Sequence, residues 1–274
     1  NSGNSPIEFR GGIHSVPSFT GGSGVHTFST NAQALTGTFS IPSITVTGIV
    51  LTNNGTLTCS SVLTGTGGLT NTAAGILNLG GTTTITTLTA SASGNTVNYD
   101  GVVQTLKVTT YHHLNLSGGA KTFGAITTIG GNLALTSSAT ATTAANLIIS
   151  GNLVIGNGTT FTVGAFTLGV SGTTTVGGGT SGLMSITGTG NKTFTGAVTI
   201  NSGGTLSESV AATLLFGNNV TNSGTFTEAG NATVSFAGDF NNNGTYTAST
   251  GTHTFSGASK IIGGTTAISI PSIT

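Results

Sequence analysis

Charge is what this chain lacks most. Its 274 residues include five Lys+Arg and five Asp+Glu, so the net charge is zero and charged residues make up 4%. An average soluble domain carries about 25%. Five dispersed cations cannot neutralise a run of phosphates, which excludes a nucleic-acid binder. There is no Trp and only one Met and one Cys. A lone Cys59 excludes a disulfide framework and a thiolate metal cluster. No apolar stretch approaches the roughly 20 residues of a membrane-spanning helix, so the chain is expected not to span a membrane. What fills it is 46 Gly and roughly sixty Thr, with abundant Ser and Asn. These residues disfavour helix interiors. Leu, Ile, Val and Phe reach about a quarter of the chain without net charge, which places it on the folded side of the disorder boundary. It begins at Asn1 rather than at Met, as expected of a mature, trimmed or excised chain.

Two scales of repetition organise the sequence. Four segments begin at Phe194, Phe216, Phe236 and Phe255, about 20 residues apart, with a polar turn before a Thr-rich alternating run. The signature recurs in Asn53-Asn54-Gly55-Thr56-Leu57-Thr58, and a Lys/His-Thr-Phe frame stands at His26, Lys121, Lys192 and His253. Short alternating runs between Gly/Asn turns at this period predict an all-β, single-stranded β-solenoid (a right-handed β-helix). Each coil holds two or three short strands, and each strand pairs with its equivalent one coil away. At ~20 residues per coil the chain would make on the order of twelve coils. Like residues then stack, so the four Phe are expected to form an aromatic ladder. Alternation is expected to set Leu206, Val220, Phe226 and Tyr246 on one side or the other by period two. The Asn-Gly corners are expected to supply positive φ.

The longer repeat spans 227 residues. Gly3-Asn4 through Phe28-Ser29 aligns without gaps on Gly230-Asn231 through Phe255-Ser256. After a two-residue shift, Ser40-Ile41-Pro42-Ser43-Ile44-Thr45 is identical to Ser269-Ile270-Pro271-Ser272-Ile273-Thr274. The chain thus divides into end coils 1–47, a central solenoid 48–229 and end coils 230–274 that repeat the first. Either it is a window from a tandem array, or equivalent coils stack between molecules.

Gly94-Asn95-Thr96-Val97-Asn98-Tyr99-Asp100-Gly101, Gln104-Thr105-Leu106-Lys107, Thr109-Thr110-Tyr111, Leu114-Asn115-Leu116-Ser117-Gly118 and Lys121-Thr122-Phe123 resemble the Thr/Gly-rich β-strand repeats of giant prokaryotic surface proteins. These are adhesin-like solenoids in the style of filamentous haemagglutinins and autotransporter passengers. The resemblance runs through nearly the whole chain from about residue 24. It implies an extracellular or cell-surface protein with a structural or adhesive role.

Few residues carry candidate chemistry. Glu208 and Glu228 occupy the same place in adjacent coils, which would bring two carboxylates ~5 Å apart, near the separation of a retaining glycosidase pair. No Arg, His or aromatic platform is in phase with them, and solvent-facing positions in a repeated frame are the expectation. Asp100 and Asp239 read as turn caps, because a Ca²⁺ site needs several carboxylates. His112 and His113 should point to opposite sides of a strand and so cannot share a metal. His26 and His253 share their frame position with Lys121 and Lys192, which reads as exposed. Cys59 reads as a buried, inert thiol. The runs Thr82-Thr83-Thr84-Ile85-Thr86-Thr87 and Thr173-Thr174-Thr175 raise an ice-binding face, which requires Thr at one position on successive coils. These runs lie about 90 residues apart, and Thr ladders also stabilise sheets. The Asn-x-Ser/Thr sites at Asn54, Asn115, Asn157, Asn191, Asn219, Asn231 and Asn243 number no more than the composition gives by chance.

The sequence therefore points to a non-enzymatic subunit of a surface fibre, without cofactor or metal, whose partner is itself. Its assembly residues would be Phe9, Ile13, Phe28, Ile41, Pro42, Ile44, Phe240, Phe255, Ile268, Ile270, Pro271 and Ile273, joining end coils head to tail. The alternative is an adhesin or glycan-binding stalk whose partners are surface glycans, with Tyr99–His113 as its candidate binding stretch.

Overall fold

A computed structural model describes residues 3–274. The described chain is all-β, without a helix, and its short parallel strands stack in coils about 20 residues apart as a β-solenoid. It forms two compact units, one ending at Gly124 and one running Ala125–Thr274.

In the first unit three faces alternate along the chain. Ile7–Phe9, Val25–Phe28, Ser43–Val46, Val62–Thr64 and Thr82–Thr83 stack on one. Val50–Asn53, Gly68–Asn71 and Thr87–Thr89 form the second. Thr56–Cys59, Ile76–Leu79, Thr96–Tyr99 and His113–Leu116 form the third. The strand Gln33–Ser40 serves two faces, pairing through Gln33–Leu35 with Val50–Asn53 and through Thr38–Ser40 with Thr56–Cys59. Gly37, at φ +108°, lies between the two pairings.

The second unit repeats the triangle. Leu147–Ile149, Leu168–Val170, Lys192–Phe194, Thr213–Phe216, Thr233–Phe236 and His253–Phe255 share one face. Leu133–Leu135, Leu153–Ile155, Thr174–Val176, Val198–Ile200, Val220–Asn222 and Phe240–Asn242 share the next. Thr140–Thr142, Thr160–Val163, Leu183–Ile186, Thr205–Glu208, Thr225–Glu228 and Thr245–Thr247 make the last.

Strand alternation sends every second residue inward. Leu206, Val220 and Phe226 are fully buried. The aromatic ladder forms as expected: Phe194–Phe216, Phe216–Phe236 and Phe236–Phe255 stack at 5.4, 5.2 and 5.0 Å with interplanar angles near 13°. Each such contact adds about 0.5–1.5 kcal/mol beyond the area it buries. Phe9–Phe28 repeats Phe236–Phe255 at 4.8 Å and 12°. His26 aligns with Ile44 in one repeat and His253 with Ile273 in the other, so the 227-residue repeat and its two-residue shift are both structural.

The Asn157-Gly158 corner has the expected positive φ, at +70°, but other corners work differently. Gly55, Gly224 and Gly244 do not have positive φ. They are needed because coils touch there: a Cβ on Gly244 would lie 2.2 Å from the Gly224 carbonyl oxygen, and one on Gly55 2.1 Å from that of Gly37. The Asn two residues before each glycine turns inward. Asn53 donates to Asn71 Oδ1 and Asn222 to Asn242 Oδ1, both at 2.7 Å, and all four side chains are buried. These amide ladders satisfy the polar groups that a corner would otherwise strand inside.

Candidate functional site

The densest chemistry in the molecule is a column of polar side chains inside the second unit, where Thr205–Glu208 and Thr225–Glu228 turn toward the face carrying Lys192–Phe194 and His253–Phe255. Each member sits in a position that alternation makes inward. Glu208 and Glu228 are in direct register, as their phase in the sequence indicates. The expected exposure is wrong, however: Glu208 is 0% and Glu228 2% exposed, and Lys192, His26 and His253 are each 0% exposed. Lys121 is buried too and donates to the Gly101 carbonyl. The frame tolerates Lys because backbone carbonyls, not water, receive its ammonium.

Lys192 shows this most fully. Its Nζ donates to the carbonyls of Gly190 (2.5 Å), Gly188 (2.7 Å), Phe166 (3.1 Å) and Gly164 (3.4 Å). Burial lowers its pKa, and the negative charge of Glu208 opposes that shift. Glu208 accepts from the backbone N–H of Val210 (2.5 Å) and of Gly230 (3.2 Å). Loss of water nevertheless raises its pKa above 4.5, against the pull of those N–H groups.

Glu228 is held by side chains. The Tyr246 hydroxyl donates to its Oε1 at 2.7 Å, and His253 Nε2 meets its Oε2 at 2.7 Å. His253 Nδ1 donates to the Gly251 carbonyl at 2.9 Å. Burial, and then the charge and hydrogen bond of Glu228, raise the Tyr246 pKa far above its ordinary value. The first repeat is a simplified version. His26 Nδ1 donates to Gly24 O at 2.8 Å, Phe19 replaces Tyr246, and Asn1, which lies outside the described residues, replaces Glu228. His26 Nε2 is buried without a partner among the described residues. The sequence placed Tyr246 only by strand alternation and not beside Glu228, although Phe19 against Tyr246 was the available signal.

A proton held more tightly by the folded than the unfolded Glu208 makes stability fall as pH rises through the window above 4.5. Glu208→Gln removes that titration. The thermal midpoint of the native chain should therefore drop more steeply than the variant's between mildly acidic and neutral pH; parallel profiles would contradict the burial argument.

The remaining candidates separate clearly. Cys59 is buried, and its thiol points at the Val62 carbonyl (3.0 Å), with burial pushing its pKa up to about 11. Asp239 caps the next coil by accepting from Ile261 N–H at 3.1 Å. His112 and His113 do not oppose each other: their rings lie 4.2 Å apart and both are half-exposed. His112 sits in the bend before His113–Leu116, which resets the alternation, and its Nδ1 accepts from Gly94 N–H. Tyr99 and Tyr111 are buried and bond to each other at 3.0 Å, so they offer no glycan platform. Val102, Val103 and Val108 in that stretch are exposed.

Of the expected assembly residues, Phe28, Ile41, Ile44 and Phe240 are fully buried within their own coils and Pro42 is half-buried. Phe9, Phe255, Ile268 and Ile270 are half-buried, while Ile13, Pro271 and Ile273 are exposed.

The sequence reading also missed an outward array. On the last face of the second unit, Thr140, Thr160, Leu183, Thr205, Thr225 and Thr245 form one rank. Thr142, Thr162, Ser185, Ser207, Thr227 and Thr247 form a second, parallel rank. The signal was Thr-x-Thr at coil spacing rather than consecutive Thr. The chain matches no protein-family model, no curated protein and no solved structure at significance.

Proposed function

We propose that this chain is a structural element of an extracellular surface fibre that works by coil-on-coil association rather than catalysis. One observation carries the reading. The hexapeptide Ser40–Thr45 buries Ile41 and Ile44 completely, whereas its identical copy leaves Ile270 half-buried and Ile273 57% exposed. In the first copy the next coil donates Ser61 N–H to Pro42 O, and Thr58 O receives Ile41 N–H. In the second copy the same groups have no partner among the described residues, and a coil stacked there, from this chain or another, would pair with them. The Thr/Gly-rich resemblance supports a place at the cell surface, and burial of the stacked carboxylates supports a role without catalysis.

The two end coils are unequal. Gly12–Thr20 carries Pro17 and a register break between Val16 and Ser18, and Glu8 and Arg10 form an exposed ion pair beside it at 2.8 Å. Proline, bulges and charge are devices that oppose edge pairing; the C-terminal coil also carries an exposed proline, Pro271, but no exposed ion pair among the described residues. Electron microscopy of native chain and Ile273→Lys tests the association. Filaments of the native chain, lost in the variant, would support head-to-tail growth. Discrete dimers lost in the variant would replace it with pairing between C-terminal coils, and monomers at every concentration would overturn association altogether. A glycan-binding stalk is the second reading, favoured by the exposed Val102, Val103 and Val108 in its candidate stretch.

A further inference from the structure

We infer that the outward face built from Thr140–Thr142, Thr160–Val163, Leu183–Ile186, Thr205–Glu208, Thr225–Glu228 and Thr245–Thr247 binds an ordered lattice of water, the surface of ice. Its twelve outward positions hold nine Thr and two Ser, broken only by Leu183. The inward residues between them vary freely, from Ala141 through Phe161, Met184, Leu206 and Phe226 to Tyr246. What these coils hold constant is the outside.

The other faces of this unit do not share the pattern. One presents Ala134, Val154, Thr175, Thr199, Thr221 and Asn241, and the other Ile148, Gly169, Thr193, Leu215, Ser235 and Thr254. Sheet stability alone would not distinguish one face of a triangle from the next. A ligand would.

Geometry and chemistry narrow that ligand. Successive coils repeat at ~4.8 Å, and the two ranks lie about 6.6 Å apart along the strands. Both spacings are close to those with which oxygen positions repeat on a prism face of hexagonal ice. The register is unbroken through all six strands, so the two ranks run parallel over the whole array. None of the eleven hydroxyls bonds to another protein group among the described residues, in contrast to the outward ladder Asn78–Asn98–Asn115, whose amides bond one another at 2.6 and 2.8 Å. Thr is stiff at χ1, so ordering it against a lattice costs little rotamer entropy. Each hydroxyl and methyl contact is weak, but a rigid array engages them together. The face carries no charge to select an ion and no aromatic side chain on which a sugar ring could stack; Phe161, Phe226 and Tyr246 of these strands all turn inward. Water ordered as ice fits such a surface better than a polysaccharide.

The test is thermal hysteresis and inhibition of ice recrystallisation by the full chain. Three variants accompany it: Thr225→Tyr and Thr162→Tyr in the array, and Thr199→Tyr on a neighbouring face. All three positions point outward, so the circular dichroism spectrum and thermal midpoint should be preserved. Activity in the native chain, abolished by either array variant and retained by Thr199→Tyr, is the expected result. No effect of the native chain on ice would overturn the inference, as would equal loss in Thr199→Tyr. Binding to cellulose or chitin that Thr225→Tyr abolishes, without any effect on ice, would assign the face to a glycan instead and also overturn it.

Discussion

Replacing Lys192 with Met should destabilise the second unit by about 3–5 kcal/mol, the usual cost of breaking a buried charged network by removing one member. Met fills much of the same volume, so cavity formation is a minor part of that loss. The larger part is that four carbonyls, those of Gly164, Phe166, Gly188 and Gly190, lose their donor inside the solenoid. An unsatisfied buried acceptor costs about 1–3 kcal/mol. Glu208 also loses the positive charge that eases its burial. The saving is the ammonium's own desolvation, which its four bonds now offset. Urea unfolding followed by circular dichroism measures the difference; a change below about 1 kcal/mol would mean that those carbonyls find other partners. The stacked position above Lys192 is Leu214, so Lys is not required by the strand itself. It is required by the Gly188–Gly190 corner, whose carbonyls face inward.

A methyl group at Gly224 should be nearly as damaging. The Cβ of Gly224→Ala would lie 2.3 Å from the carbonyl oxygens of both Asn201 and Gly204, which are backbone atoms of the adjoining coil. Neither can move without opening the ladder, so the loss should be about 3 kcal/mol, at the upper end of overpacking effects. Gly158 provides the contrast. It has φ +70°, and its added Cβ would meet only Ser138 Oγ at 3.8 Å. Gly158→Ala therefore carries only the left-handed backbone cost of about 1–2 kcal/mol. Equal losses in the two variants would return the corner glycines to a conformational role.

Periodicity was legible because a solenoid stacks equivalent residues, so Phe194, Phe216, Phe236 and Phe255 announce both the coil length and the ladder. The same logic located Glu208 over Glu228 and matched the first repeat to the last. Sidedness was less legible. A charged residue reads as exposed by default, yet here Lys192, Glu208, Glu228 and His253 find backbone carbonyls, N–H groups or one another inside. Corners turn those backbone groups inward, and strand alternation does not describe corners. His112 and His113 fail for the same reason. The Thr ranks escaped notice because consecutive Thr runs draw the eye, while the array places one Thr pair per coil, about 20 residues apart. The near-absence of charge thus describes the outside more than the inside: of the charged residues in the second unit, Lys192, Glu208 and Glu228 are buried.

Association through end coils is tested most directly by sedimentation equilibrium of the native chain over a wide concentration range. A weight-average mass that climbs from 26.6 kDa with concentration, and stays at the monomer value in Ile273→Lys, is the expected result. A native chain that remains monomeric throughout would contradict it.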